Sequence, residues 1–185
     1  VPTDTYYASE QWYLHNTAQS YHHSSTVSLP GTTGIDINWQ PVFDQTALRG
    51  EGTIVAVIDS GLNSNHPDLL TNLWTNPQDT SIDGIDNDAN NLVDDVHGWN
   101  FINNTNQFGD DLGHGTLTAG FIGAVDDSHG VVGVAPHTEI MPLKVLDSVG
   151  NGSTANVIKA INYAVSHGAN VINMSFGNPN ASTIP

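Results

Sequence analysis

The stretch "TIVAVID", residues 53–59, constrains the fold more than any other. An uninterrupted β-branched apolar run reads as a strand covered on both faces, the situation in a parallel sheet flanked by helices. The run ends in Asp59, whose charge is costly to take out of water. Gly61 follows and permits a tight turn. In open parallel sheets, chemically active groups gather at the carboxyl ends of strands. Asp59 is therefore either a capping acid or one member of a site.

Two more segments, "EIMPLKVL" at 139–146 and "NVINMSFG" at 170–177, also read as strands. Between them "STANVIKAINYAVSHG", 153–168, carries a helical stripe of Val157, Ile158, Ile161, Ala164 and Val165, with Ser153 as N-cap and Gly168 as stop. Strand, helix and strand in this order predict a right-handed crossover and a parallel α/β sheet. Residues 1–50, rich in Thr, Ser, Gln, His and aromatics, predict an irregular segment wrapping the surface. Residues 51–185 then form the main body, interrupted by an acidic insertion at about 76–98. A chain of 185 residues with 38% hydrophobic content suits one domain with a real core.

A second motif gives Asp59 a partner. In "GDDLGHGTLTAG", 109–120, His114 stands between two glycines at the entrance to a helix of small residues, where little bulk shields the imidazole. A buried carboxylate and a neutral imidazole are two parts of a nucleophile-activating relay. The imidazole takes a proton from a hydroxyl, while the acid fixes its tautomer and stabilises the imidazolium. The imidazole N–H also offsets the desolvation of Asp59.

Charge narrows the partners. With 19 acidic against 3 basic side chains and a net charge of −16, the chain is unsuited to nucleic acid or an anionic membrane surface. The acids crowd one connection, "DTSIDGIDNDANNLVDDVHG", which holds Asp79, Asp83, Asp86, Asp88, Asp94 and Asp95. Oxygen-only ligands at that density favour Ca²⁺. Asp86, Asp88 and Asn90 alternate as in the first half of a calcium loop, and Leu92 offers its carbonyl. Asp83, Asp94 and Asp95 are the next candidates. The loop is not an EF-hand, since Asn91 replaces the turn glycine and His97 stands where the bidentate Glu belongs. A zinc site is disfavoured despite nine histidines, because no His-Glu-x-x-His occurs.

Taken in order, "VAVIDSGLNSNHPDL", "GHGTLTAG", "GVVGVAP", "MPLKVLDSVGNGST" and "NVINMSFG" resemble the successive blocks of subtilisin-like serine proteases. The start of the chain also looks like that of bacterial subtilases and the kexin branch. The resemblance implies a three-layer α/β fold with a parallel sheet, of which this chain is the incomplete, N-terminal part. It makes Asp59 the acid and His114 the base of an Asp/His/Ser triad. It implies that Gly150, Asn151 and Gly152 on one side, and Ser175, Phe176 and Gly177 on the other, flank an extended polypeptide substrate that joins as an added strand. The family's nucleophile sits in a Gly-Thr-Ser block, after an oxyanion-hole Asn, and neither is found in these residues. The expected partner is accordingly the C-terminal half of the same catalytic domain, without which this part is expected to be inactive. Ser60 and Ser175 lie near the motifs and remain open as substitutes. A start at Val1 fits a processed, secreted product, and the ion expected in the acidic insertion is structural calcium. The competing expectation is a non-catalytic, calcium-dependent binding module on a subtilase half-fold.

Overall fold

The computed structural model describes residues 1–24 and 27–177. In chain order its elements are α1 (Tyr7–Glu10), β1 (Ser20–Ser24), β2 (Val27–Pro30), α2 (Trp39–Gln45), β3 (Ile54–Asp59) and α3 (Pro67–Leu70). There follow β4 (Trp99–Asn100), α4 (His114–Gly123), β5 (Glu139–Lys144), α5 (Thr154–Ser166) and β6 (Val171–Asn173). They form two compact units. One comprises Val1–Thr53, Ser64–Leu73 and Ala119–Ile140; the other comprises Ile54–Asn63, Trp74–Thr118 and the chain from Met141 on.

The second unit holds most of a four-stranded sheet in the order β4-β5-β3-β6. β3 pairs with β6 in parallel, Val55 opposite Val171 and Val57 opposite Asn173, and β4 pairs with β5 in parallel. From Val55 to Asp59 every residue of β3 is buried, as expected of a strand covered on both faces. Its core unites Ala56 and Ile58 of β3 with Trp74, Trp99, Phe101, Met141, Leu143, Val145, Leu146 and three residues of α5.

α5 forms where its pattern predicts. The Ser153 hydroxyl accepts the Asn156 N–H at 3.2 Å, which caps the helix, and Gly168 takes a positive φ just past its end. Its buried face matches the expected stripe in part, with Val157 and Ile161 packed against the core. Ala160, Tyr163 and Ala164 are buried, while Ile158 and Val165 are exposed. The small alanines allow close approach to the core, and the Tyr163 ring fills the space beside Trp74 and Phe101 in edge-on contacts. β6 is only three residues long, so Ser175, Phe176 and Gly177 lie beyond it rather than within a strand.

Residues 1–50 are more regular than expected. They carry α1, the antiparallel β1–β2 pair and α2. The aromatics supply the reason: Tyr7, Leu14, Trp39, Phe43 and Val132 form a core of the first unit's own. Trp39 and Phe43, one helical turn apart on α2, hold their ring centroids 4.6 Å apart. The Arg49 guanidinium lies 3.5 Å over the Phe43 ring and donates to the Phe43 carbonyl.

Candidate active site

β3 delivers Asp59 to the interior, where it is 0% exposed. Its Oδ1 accepts the Ser60 N–H at 2.7 Å and lies 2.7 Å from Nδ1 of His114. A proton on Nδ1 makes this a charge-assisted bond and leaves Nε2 as the basic nitrogen. The imidazole is 44% exposed, so one end of the ring is fixed in the interior and the other is accessible. Asp59 Oδ2 is buried without a hydrogen-bond donor.

Local geometry explains the glycines. Gly61 turns the chain at φ +112°, and a side chain there would collide with the Phe108 carbonyl. Gly115, the residue after His114, packs onto the Gly61 carbonyl and the Asp59 side chain, leaving no room for a Cβ. The first turn of α4 therefore rests directly on the turn after β3.

Asp110 braces this junction. Its Oδ1 accepts the Ser60 hydroxyl at 2.8 Å and the N–H groups of Gly113 and Leu112. Its Oδ2 accepts the N–H and hydroxyl of Thr116 at 2.8 and 2.6 Å. Burial alone would raise the Asp110 carboxyl, but the Thr116, Gly113 and Ser60 donors outweigh it and hold it below the usual carboxylate range. Ser60 Oγ also accepts the Gly115 N–H at 2.9 Å. Fully buried and committed on both sides, Ser60 is a brace and not a nucleophile. Asp110 was invisible as a site residue in the sequence, although "GDDLGHGT" placed it beside one.

The residues matched to substrate strands follow β5 and β6. Leu146 and Gly152 form an antiparallel bridge, closed by Asp147 and Asn151 backbone bonds, with Gly150 in the turn at positive φ. Gly150, Asn151 and Gly152 are exposed, as are Ser175 and Gly177, while Phe176 packs partly against the core. The Ser175 hydroxyl accepts from the Asn173 amide at 3.0 Å.

In the acidic insertion the candidates fall into two groups. Asp88 and Asp95 converge with His167, which the sequence reading did not single out. Asn76 and Asn90 each donate to both carboxylates, at 2.9 to 3.1 Å. His167 Nε2 lies 3.3 Å from Asp88, while its Nδ1 meets the Tyr163 carbonyl at 2.8 Å. Burial raises the Asp95 carboxyl, whereas for Asp88 the bonds from Asn76, His167 and Asn90 overcome burial and lower it. Asp86 accepts the N–H groups of Asn90 and Asn91. The second group is Asp83 and Asp94, joined by bonds from the Asp83 and Gly84 N–H groups to Asp94 Oδ1 at 2.9 Å. Leu92 packs its side chain against the core. Asn91, at φ +70°, adopts the left-handed conformation a loop glycine would have taken. Asp79 is fully buried with Oδ2 unpartnered.

Fold and site together define an α/β protein that presents an aspartate-held imidazole at the end of a central strand. A model of the Subtilase family matches residues 50–184, and the chain belongs to that family. It is 41% identical over 136 residues to Subtilisin-like protease 1 of Plasmodium berghei, a match covering 72% of this chain and 23% of that protein. It is 36% identical over 162 residues to Subtilisin E of Bacillus subtilis, covering 87% of this chain and 36% of that one. The chain thus spans less than a quarter of the first relative's length and about a third of the second's. Among solved structures, a lanthipeptide protease aligns with TM-score 0.54 at 35% identity, over 75% of this chain and 32% of that one. The serine protease of Aeromonas sobria, solved with its chaperone, aligns with TM-score 0.69 at 24% identity, over 94% of this chain and 26% of that one. The parallel-sheet fold expected from the sequence is shared with these proteases. The matches bear on the family and not on the kexin branch.

Proposed function

We propose that these residues are the N-terminal part of the catalytic domain of a secreted subtilisin-like serine endopeptidase. The observation that carries the reading is the 2.7 Å contact between buried Asp59 and Nδ1 of an imidazole whose other end is accessible. In this mechanism, His114 Nε2 takes the proton of a serine hydroxyl supplied by the C-terminal part of the same domain. The serine attacks the peptide carbonyl, and the imidazolium returns the proton to the leaving amine. Asp59 keeps Nδ1–H oriented and stabilises the imidazolium. The exposed turn at Gly150, Asn151 and Gly152 and the segment Ser175, Phe176 and Gly177 offer backbone to an extended polypeptide substrate.

Calcium is the proposed structural ion of the acidic insertion. The donor chemistry fits: Asp79 and Asp95 are fully buried carboxylates, Asp79 Oδ2 has no protein donor, and the neighbouring acids are oxygen ligands of the kind a hard cation takes. The proposed ligands are Asp86, Asp88, Asn90 and Leu92 through its carbonyl, with Asp83, Asp94 and Asp95 as the next candidates. Nothing in the geometry favours the binding-module reading.

The test is peptide-bond hydrolysis by the full-length protein and its His114→Gln and Asp59→Asn variants. Loss of activity in both, with folding retained, is the expected result; full activity in His114→Gln sinks the reading.

A further inference from the structure

The chain carries only three Lys and Arg side chains. Arg49 is partly buried, Lys159 is exposed, and Lys144 sits in the interior, 4% exposed, as the last residue of β5. Burying an ammonium is expensive, and an apolar residue of the same length would fill the space without that cost. The contacts of Lys144 indicate what the charge does there. Nζ donates to the Ser60 carbonyl and, at 2.6 Å, to Asp111 Oδ1. Ser60 is the residue after Asp59, and Asp111 lies three residues before His114. The same strand end also grips Asp59: the N–H groups of Val145 and Leu146 donate to its carbonyl at 2.8 and 3.2 Å.

We propose that Lys144 and Asp111 are a pair of positioning residues that fix the backbone of Asp59 relative to that of His114. The inference rests on the function proposed above. Neither side chain needs to touch substrate. Ser60 and Asp110 couple the two segments through neutral donors, while Lys144 couples them through a charge, from the strand side. Asp111 is 53% exposed, so the ion pair reaches from the interior to the surface directly before the base. Hydrolysis depends on the alignment of serine, His114 and Asp59: the proton passes from the serine to Nε2 of His114, and Asp59 holds the ring through Nδ1–H. A small displacement of either backbone lowers kcat more than substrate binding.

The pair has a signature that an anchor without this role lacks. Charged groups on the elements meeting here are Asp59 on β3, Asp110 and Asp111 before α4, and Lys144 and Asp147 at the end of β5. Removing the cation makes a protonated imidazole easier to form, and removing Asp111 does the reverse.

The experiment uses the full-length protein with Lys144→Met, Asp111→Asn and the double substitution. Each single substitution is expected to lower kcat roughly tenfold or more with KM little changed. The double variant should be no worse than the poorer single, as befits one coupled device. The acid limb of the pH–rate profile should move to higher pH in Lys144→Met and to lower pH in Asp111→Asn. Folded variants with the parent's kcat and an unmoved acid limb overturn the proposal. If Lys144→Met does not fold, Asp111→Asn, altered at a half-exposed side chain, decides by the same criteria. His114→Gln serves as control: inactive beside unaffected pair variants, it sinks only this inference; active, it sinks the triad reading itself.

Discussion

The approach to α4 and the acidic insertion both gather carboxylates, half-buried to exposed in the first and largely buried in the second, and they satisfy them differently. Asp110 meets backbone N–H groups and hydroxyls on both oxygens, and nearby Asp111 meets a buried ammonium. In the insertion, Asp88 and Asp95 share two asparagine amides and one imidazole, and Asp79 keeps an oxygen with no donor. A carboxylate surrounded by donors stays ionised and rigid, whereas acids that face one another are raised or need a cation. In the first region the protein's own donors meet the carboxylates, and the second is the region for which calcium is proposed as the counter-charge.

The largest effect is expected at the site that the completed region supports. Asp59→Asn should lower kcat/KM by roughly 10⁴-fold, since the ring loses its oriented tautomer. Peptide hydrolysis by the full-length protein reads it, and a loss under tenfold would mean that Asp59 is only a cap. Next comes the insertion. Stripping divalent ions with a chelator should lower the melting temperature by several degrees, as about 2.7 kcal/mol of linkage is lost when ligand at 100 times its Kd is withdrawn. An unshifted melt would show that the amides and His167 suffice, and the contrast would collapse.

Asp110→Ala tests the other side. It strips acceptors from the N–H groups of Gly113 and Thr116 and from two hydroxyls, at a cost of about 2–3 kcal/mol in denaturant unfolding. Because its carboxyl is held low, Asp110 stabilises the fold above roughly pH 4 and this contribution disappears as pH falls below that range. Acid unfolding of the alanine variant should accordingly be less steep than the parent's. The smallest effect concerns the first unit, where the Asp4 carboxyl is pushed up to about 7 by burial and by the Asp126 carboxyl facing it. A raised acid has the opposite sign. Its unfavourable ionisation is absent below about pH 4, where the unfolded carboxyl is also protonated, and grows as pH climbs toward 7. In chelator, Asp4→Asn should flatten that decline, by on the order of 1 kcal/mol because the two acids share the proton. A decline as steep as the parent's would show that the pair is not its source.

What the sequence disclosed was local. β3 and the tetrad "GHGT" are readable because an apolar run and a small-residue helix start carry their meaning within a few positions, and Asp59 and His114 do meet as their motifs implied. Lys144 and Asp110 carry theirs through partners tens of residues away, such as Ser60, and no periodicity marks them. Two positions of the α5 stripe, Ile158 and Val165, were misread for a related reason. Hydrophobicity ranks Ile158 and Val165 above alanine, but the neighbouring sheet decides which side is covered, and Ala160 and Ala164 allow the closer approach. In residues 1–50 polar content masked a core built from a few large aromatics, Tyr7, Trp39 and Phe43. In the insertion the density of acids was legible from composition, while the contacts of Asn76, at its first position, and of His167, from α5's end, were not.

The contact between Gly115 and the Gly61 carbonyl has a genetic consequence. Every residue other than glycine brings a Cβ, and here the obstructing atoms are backbone, which has no rotamer with which to yield. Position 115 therefore has no tolerated neighbour in sequence space. A lineage can drift at exposed Leu112 or Leu117 on either side of it, but a change of the Gly115 codon that alters its meaning has no intermediate through which to be rescued.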